Sequence, residues 1–480
     1  MNIAVVSSRQ STALTHATVR RAVAAEPTAR VNVLDVDGSY APVGGERVLI
    51  SEDVGLAHAE LHRSAARLEH ADLVRSLYPR LVRTILAEQT AESEQTVLVI
   101  QPGVLLLSRP TAILADAATC GLCLLARAPL AFRADGRWPS AEDVARAGSY
   151  SPALLALHGP QGGLLDLWER TADQPNGIGD RWLDVAAGSL PHHTVRDAAV
   201  LLSPWSLAPT QRVEPAPGAR ARGLLLDNRE VVAVDLSGFD PRKPWLLASN
   251  VPGDPRARLS DHPELASLVF DEARTMVADD DAEPADRVGS WDLGTTSLGV
   301  PVDTPLRELY RSAATGCARG EPVPPDPVQP DCAEVLLSWL TDAAPDGGPG
   351  RYLCAIHRTR PDLQRVLPNV PGTHTPGSLI GCATTARPRV TPRRSSTSHS
   401  RGWTRRDRRG EVERYPASTS SASCAASSGS ANRPGSCSAR CGPPRFRARP
   451  LRSIATWRAG RARPTTTSRH NPSSRRSTQA

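Results

Sequence analysis

The residues that could do chemistry stand mostly at the ends of apolar stretches. Asp35 and Asp37 close RVNVLDVDG, where a nucleotide base or ribose could be read from the end of a strand. Two solvated loop acids would look the same. Asp180 and Arg181 open GDRWLDVAAG, with Asp180 either a base or a helix cap in a surface ion pair. Asp235 and Asp240 flank Ser237-Gly238 in VVAVDLSGFDP. They suit hydroxyl groups, a cation or plain turn chemistry. His192-His193 lack partners at metal spacing and read as a surface turn. No GxxxxGK[ST] phosphate loop exists, and the glycine pairs at 162-163 and 347-348 are isolated. One turn stands out by what it lacks. TVLVI, ending at Ile100, reads as a buried strand and stops at Gln101-Pro102-Gly103. Ligands of an open α/β sheet bind at the carboxyl ends of strands, yet this turn carries neither charge nor nucleophile.

The elements that must position these residues follow from periodicity. NIAVVSS predicts a strand, STALTHATVRRAVAAEP an amphipathic helix and RVNVLDVDG a second strand, a βαβ opening. SEDVGLAHAELHRSAARLEHADLVRSLYPRLVRTILAEQ predicts mostly helix from an N-cap at Ser51. LCLLARAPL and SPALLALHG predict strands, RWPSAEDVARAG a capped helix, LLDLWERTADQ a helix, and GDRWLDVAAG a short helix. GLLLDNREVVAVDLSGFDP predicts a hairpin turning at Asp227-Asn228. The alternation predicts an α/β fold, a Rossmann-like parallel sheet with helices on both faces. Beyond about residue 250 the pattern is mostly helical, broken by the proline-rich linker EPVPPDPVQPD. Three regions are expected: an α/β domain over 1–250, a helical extension over 251–372 and a basic, disordered tail over 373–480.

Of the chain's 57 basic and 50 acidic residues, the stretch from Gly381 holds 22 Arg and three acids (Asp407, Glu411, Glu413). The tail thus carries +19 and the rest −12, which together give the net +7. One Lys against 56 Arg fits a GC-rich coding sequence. The nine Cys follow no disulfide spacing, and Cys120 and Cys123 lie in an apolar run as core thiols. No apolar run reaches the roughly 18 residues of a membrane helix, and no signal peptide opens the chain. A cytoplasmic protein is expected. For the tail, three readings stand: a solvated arm, an arm for nucleic acid or another acidic surface, and an out-of-frame translation. The last is the expectation, and no nucleic-acid partner is assigned. The stretch PASTSSASCAASSGSANRPGSCSARC, shifted by one base with G or C at most third positions, can be written as GVNVVGFLRGELGIGESARLVLGAL. That is a strand, a Gly-rich turn and an amphipathic helix, and it places a frame break near residues 372–381.

A family likeness is carried by several segments in series: SEDVGLAHAELHRSAARLEHADLVRSLYPRLVRTIL, TVLVIQPGVLLLSRP, DGRWPSAEDVARAGSYSPALLAL, GDRWLDVAAGSLP, LSGFDPRKPWLL and GRYLCAIHRTRPDLQRVLPNV. Together they resemble a bacterial GT-A-type glycosyltransferase domain of the kind found in cell-surface polysaccharide clusters, often ahead of a GT-B domain. The likeness spans roughly residues 1–372, and the shifted reading of the tail resembles the opening of a GT-B domain. It implies a nucleotide-sugar donor, a glycan acceptor and a DxD-type motif. The motif's carboxylates would hold Mg²⁺ or Mn²⁺ against the charge that develops on the diphosphate.

The chain departs from that pattern at its polar positions. A YLDPDI-like stretch has Gln101 and Gly103 for its two acids. An LKPW-like stretch reads LYPR, which moves the basic group to Arg80. A YNLGF-like stretch has Pro152 at the Asn position, and a VDQRW-like stretch has Gly179 and Asp180 ahead of Arg181. An HFSGFD-like stretch puts Asp235 at the His position. The likeness therefore implies a donor side at Asp35, Asp37, Arg80, Gln101 and Gly103, and a reaction side at Asp180, Arg181, Asp235 and Asp240. No metal-ligand set is assigned, although the family implies the ion. Two functions are expected. One is glycosyl transfer with weakened or metal-independent chemistry, the positive charge coming from Arg80, Arg181 or Lys243. The other is a non-catalytic binding or scaffold module, with a GT-B domain as its original partner.

Overall fold

The computed structural model describes residues 1–89, 95–129, 134–172, 179–218, 223–249, 251, 253–282, 292–343, 349–370 and 372–373. All of them belong to the unit Met1–Pro392. The basic tail lies outside the described residues. In chain order the elements are β1 (Asn2–Ser7), α1 (Thr12–Ala25), β2 (Arg30–Asp35), β3 (Arg47–Leu49), α2 (His58–Arg67), α3 (His70–Ala87), β4 (Thr96–Ile100), β5 (Val104–Leu106), α4 (Thr111–Cys120), β6 (Leu122–Ala126), α5 (Ala141–Ala147) and β7 (Tyr150–His158). There follow α6 (Gly162–Ala172), α7 (Trp182–Ser189), β8 (His193–Val195), β9 (Leu201–Leu202), β10 (Val213–Pro215), β11 (Leu224–Leu226), β12 (Arg229–Glu230), β13 (Ala233–Asp235), α8 (Pro263–Ala282), α9 (Thr304–Cys317), α10 (Ala333–Thr341), α11 (Arg351–Thr359) and α12 (Pro361–Val366).

The central sheet has seven strands in the order β3-β2-β1-β4-β7-β6-β8. Its strands alternate side chains between two helical layers, because the side-chain period of a strand is two. Ala4, Val6, Val97, Val99, Leu155 and Leu157 pack under Leu77, Leu81 and Trp168 of α3 and α6. Ile3, Val5, Leu98, Ile100 and Leu154 pack under Val19 and Ala22 of α1 and Ile113 of α4. This is the expected α/β layer with both faces covered. Cys123 is fully buried in β6, and burial pushes its thiol up to about 12, as suits a core residue.

One expectation is corrected. The SPALLALHG stretch is a strand, but β7 runs antiparallel to both β4 and β6. The chain leaves β6 at Ala126, and Tyr150 pairs directly with Ala126, so it re-enters the sheet at the edge it left. Burial on both faces of β7 leaves no alternation from which direction could be read.

Local signals set the boundaries elsewhere. Ser140 caps α5: its hydroxyl accepts the Asp143 amide at 3.2 Å while Asp143 accepts the Ser140 amide at 2.9 Å. The expected hairpin forms, with Asp227 and Asn228 at φ 50° and 66° between β11 and β12, the backbone of a two-residue turn that matches strand twist. β5, β13 and β9 form a second small sheet, in which Asp235 stands opposite Val104. In the helical region Leu306, Tyr310, Leu336 and Ala355 form their own core against Ala66 of α2. The buried His62 and Asp326 pair at 2.9 Å ties the proline-rich segment to α2. Among the described residues no helix is long and apolar enough to cross a membrane.

Candidate functional site

Strand order reverses between β1 and β4: β2 and β3 extend to one side of β1, and the chain then crosses back to start β4 on the other. A crevice at the carboxyl ends of the strands is expected at such a point. Its edge is built from the β1 end at Ser7-Ser8, the β4 end at Gln101, the β6 end at Arg127, the β7 start at Ser151 and the β13 end at Asp235. The Gln101 amide donates to Ala153 of β7 at 2.9 Å, and the Arg127 amide donates to Ser149 at 2.8 Å. These backbone bonds draw the three strand ends together.

The turn Gln101-Pro102-Gly103 is closed by packing. Gly103 has φ +92°, a backbone region that side chains disfavour. A Cβ there would lie 2.8 Å from the Leu236 carbonyl oxygen and 3.0 Å from the Ser237 nitrogen. The Gly103 amide donates to Thr18 Oγ1 at 2.9 Å, and its carbonyl accepts the Leu236 amide at 2.9 Å. The bare glycine is therefore what allows β5 and β13 to meet beneath the crevice. No carboxylate fits at 103 on this backbone.

Asp180 is bonded to the guanidinium of Arg127, whose charge also reaches the buried Asp235. This arginine is 7% exposed. Its Nε donates to the Gly148 carbonyl at 2.9 Å, and its Nη2 donates to the Ala147 carbonyl at 3.1 Å and to Asp180 at 3.0 Å. The Trp205 ring lies under it, 5.0 Å from Cζ. Arg75 of α3 donates to the other Asp180 oxygen at 3.1 Å. Asp180 is thus held by two cations. Asp235 accepts the Ser237 amide at 2.9 Å. Burial raises its carboxyl above the ordinary 3.8, opposed by the bonds from Ser237 and by the charge of Arg127.

The other expected residues are distributed more widely. Asp35 caps the turn after β2, accepting the amides of Asp37, Ser39 and Tyr40 at 3.3, 3.3 and 3.0 Å. Burial lifts its carboxyl against those bonds. Asp37 accepts the Arg9 amide at 3.1 Å and the Ser39 hydroxyl at 2.6 Å. His70 bonds Ser8 Oγ at 2.9 Å, and burial lowers it below 6.5 against the pull of Asp37. These groups gather at the β1 and β2 ends, where the donor side was expected. Asp240 sits in a turn with Lys243 Nζ at 3.1 Å, and that bond holds its carboxyl below the usual range. Arg181 is exposed and makes no ion pair among the described residues. Arg80 is placed elsewhere, on the outer side of α3, paired with Glu169 of α6 at 3.1 Å and Glu60 of α2 at 3.6 Å. The expected surface turn at His192-His193 is corrected: His192 donates to the Leu190 carbonyl at 3.0 Å, and His193 opens β8, paired with β6 and 3.5 Å from Asp116.

Two members of the central network, Arg127 and Arg75, were not singled out in the sequence. The only signal for Arg127 is a lone charge at the end of an apolar strand, in LCLLARAPL. A neighbouring cleft of about 770 Å³ is lined by Trp138, Trp245, Leu259, Pro263 and Phe270. Trp138 joins it to the network through Trp205, with ring centroids 4.8 Å apart.

The implied divalent ion does not fit this site. Hard cations take several oxygen ligands. Gly103 offers none, Asp180 is already bonded to two guanidiniums, and no group of three or more His, Cys, Asp or Glu among the described residues could hold a metal.

No family model matches the chain, and no curated protein matches it. Solved structures similar to it include the galactosyltransferase LgtC in complex with donor and acceptor sugar analogues, at 14% identity and a TM-score of 0.33, over 57% of this chain and 96% of that one. The glycosyltransferase GlyE of Streptococcus pneumoniae TIGR4 is similar at 11% identity and a TM-score of 0.26, over 41% of this chain and 45% of that one. Mouse xyloside xylosyltransferase 1, in its apo form, is similar at 9% identity and a TM-score of 0.26, over 42% and 87%. All three are glycosyltransferases. At these scores the likeness carries no weight of its own, and the fold rests on the sheet and its two helical layers.

Proposed function

We propose that this protein is a glycosyltransferase-type, GT-A-like module that binds a nucleotide-sugar at the carboxyl edge of its large sheet without a divalent ion. In this reading, sugar transfer to a glycan acceptor in cell-surface polysaccharide synthesis is impaired. The donor's nucleoside would sit at the β1 and β2 ends, near Ser8, Asp37 and His70, and its diphosphate would sit toward the β4 and β6 ends. The acceptor would enter from the aromatic cleft, where Trp138 and Trp245 offer apolar ring faces of the kind ligand pockets use. The observation that carries the metal-free reading is Gly103, whose missing side chain is filled by the Leu236 backbone.

A second reading is favoured by Asp180. Both oxygens of Asp180 already accept bonds, one from Arg75 and one from Arg127, which leaves the carboxylate poorly placed to take a proton from an acceptor hydroxyl. If no other group takes that role, the module binds without turnover and serves as a scaffold, with a GT-B domain as a natural partner. The two readings separate in one experiment: saturation-transfer NMR with a panel of nucleotide-sugars, followed by a donor-hydrolysis assay on those that bind. Binding with slow hydrolysis supports the enzyme reading. Binding without hydrolysis supports the scaffold. Binding to no donor removes both.

A further inference from the structure

We infer that the Arg127 guanidinium is a built-in cation for the donor diphosphate, standing in for the divalent ion that the site cannot hold. The inference rests on the nucleotide-sugar reading above and adds the group that does the holding. A guanidinium has five N–H donors in a rigid fork. In Arg127 three of them are bonded, through Nε to Gly148 and through Nη2 to Ala147 and Asp180. The two on Nη1 have no partner among the described residues, and Nη1 is not among the sealed polar atoms that lack one. The bonded half fixes the plane of the fork and leaves the two Nη1 hydrogens uncommitted. Trp205 backs the ring side.

That arrangement suits a phosphate. Two parallel N–H groups on one planar cation match two anionic oxygens, and such charge-assisted bonds are stronger than neutral ones. The low exposure of Arg127 limits screening by water. Its one ion-pair partner among the described residues, Asp180, also accepts from Arg75, which pairs with Asp72 in turn. Asp235, the other carboxyl nearby, accepts a bond from the Ser237 amide, and its burial favours the neutral acid that an adjacent phosphate would tolerate. The cation also occupies the right strand end. Arg127 follows β6, two strands from the Gln101 turn across β7, so it reaches the same crevice from the side opposite the β1 and β2 ends. Of the three cations expected from the sequence, Arg80 lies on the outer helix layer and Lys243 is paired with Asp240, while Arg181 stands beside Gly148 at the same strand end but is exposed.

The test is calorimetric titration of the full chain in EDTA with UDP, GDP, ADP and the matching nucleosides. For any base that binds, the diphosphate is expected to bind more tightly than its nucleoside. R127M should lose about 10- to 100-fold in diphosphate affinity while nucleoside affinity changes by less than about threefold. D180N, which leaves Arg127 in place and removes its counter-charge, should strengthen diphosphate binding several-fold, and it keeps the inference testable if R127M does not fold. Diphosphate affinity unchanged in both variants overturns the inference and leaves the nucleotide reading standing. Equal binding of nucleoside and diphosphate by the unaltered protein does the same. Binding of neither overturns the nucleotide reading, and the inference falls with it.

Discussion

Gly103 and Leu236 meet so closely that a single added carbon on the glycine would fall 2.8 Å from the leucine's carbonyl oxygen. The contact leaves no room for a side chain at the turn where the resemblance implied an acid. The space is filled by the β5–β13 junction, so placing an acid there should not create a metal site. Gly103→Asp is expected to cost about 2–4 kcal/mol through strain at positive φ and the backbone clash. Gln101→Asp, on a half-exposed side chain, should cost less than about 1 kcal/mol. Urea unfolding of both variants, with Mn²⁺ titration of the double variant, checks this. Tight Mn²⁺ binding by the double variant would contradict it.

Asp180 is the hub of the charge network. Removing it in Asp180→Ala leaves Arg75 and Arg127 without their shared anion. Because Asp180 is partly exposed, the loss should be about 2–3 kcal/mol, below the range for fully buried pairs. Asp180→Asn keeps one of the two acceptor oxygens and should lose roughly half as much. Denaturant midpoints at fixed slope give both numbers.

Two buried titratable groups push stability in opposite directions. Burial raises Asp235 above 3.8, so the folded state holds its proton longer than the unfolded chain. Its contribution is full below pH 3.8 and is lost as pH rises through the raised value. Asp235→Asn should therefore gain on the unaltered protein as pH climbs from about 4 toward 7. His262 is 2% exposed, and burial lowers it below 6.5. Its contribution is full above pH 6.5 and is lost as pH falls below that value. His262→Gln should flatten the acid limb. Thermal melts across pH 4–8 separate the two, and parallel profiles for all three proteins would contradict both assignments.

Trp245 is 61% exposed beside the aromatic cleft. Its removal should change stability by no more than about 0.5 kcal/mol. If the cleft receives an acceptor, Trp245→Ala should weaken oligosaccharide binding about three- to tenfold, the worth of an aromatic face. Intrinsic fluorescence titration with neutral oligosaccharides measures it.

Much of this could be read from residues alone. The βαβ opening, the Ser140 cap and the Asp227-Asn228 hairpin all follow from local chemistry that tertiary packing did not override. The direction of β7 did not, since a strand buried on both faces has no polar side to orient it. Asp35 and Asp37 do stand after β2, but Asp35 bonds the backbone amides of its own turn and Asp37 the Arg9 amide and Ser39 hydroxyl, as short acidic side chains after a strand readily do. The central cation was missed for a different reason. Arg127 is one of 56 arginines, and nothing local distinguishes it. Its meaning comes from Asp180, Asp235 and Trp205, which lie between 53 and 108 positions away and meet it only in the folded chain.

The central claim is a nucleotide-sugar site that works without a divalent ion. Calorimetric titration of the full chain with UDP-, GDP- and ADP-sugars, once in EDTA and once with Mn²⁺, tests it most directly. The account predicts that at least one donor binds in EDTA and that Mn²⁺ changes its affinity by less than about twofold, a difference under roughly 0.4 kcal/mol. Binding that appears only with Mn²⁺, or that Mn²⁺ strengthens by about tenfold or more, would contradict it.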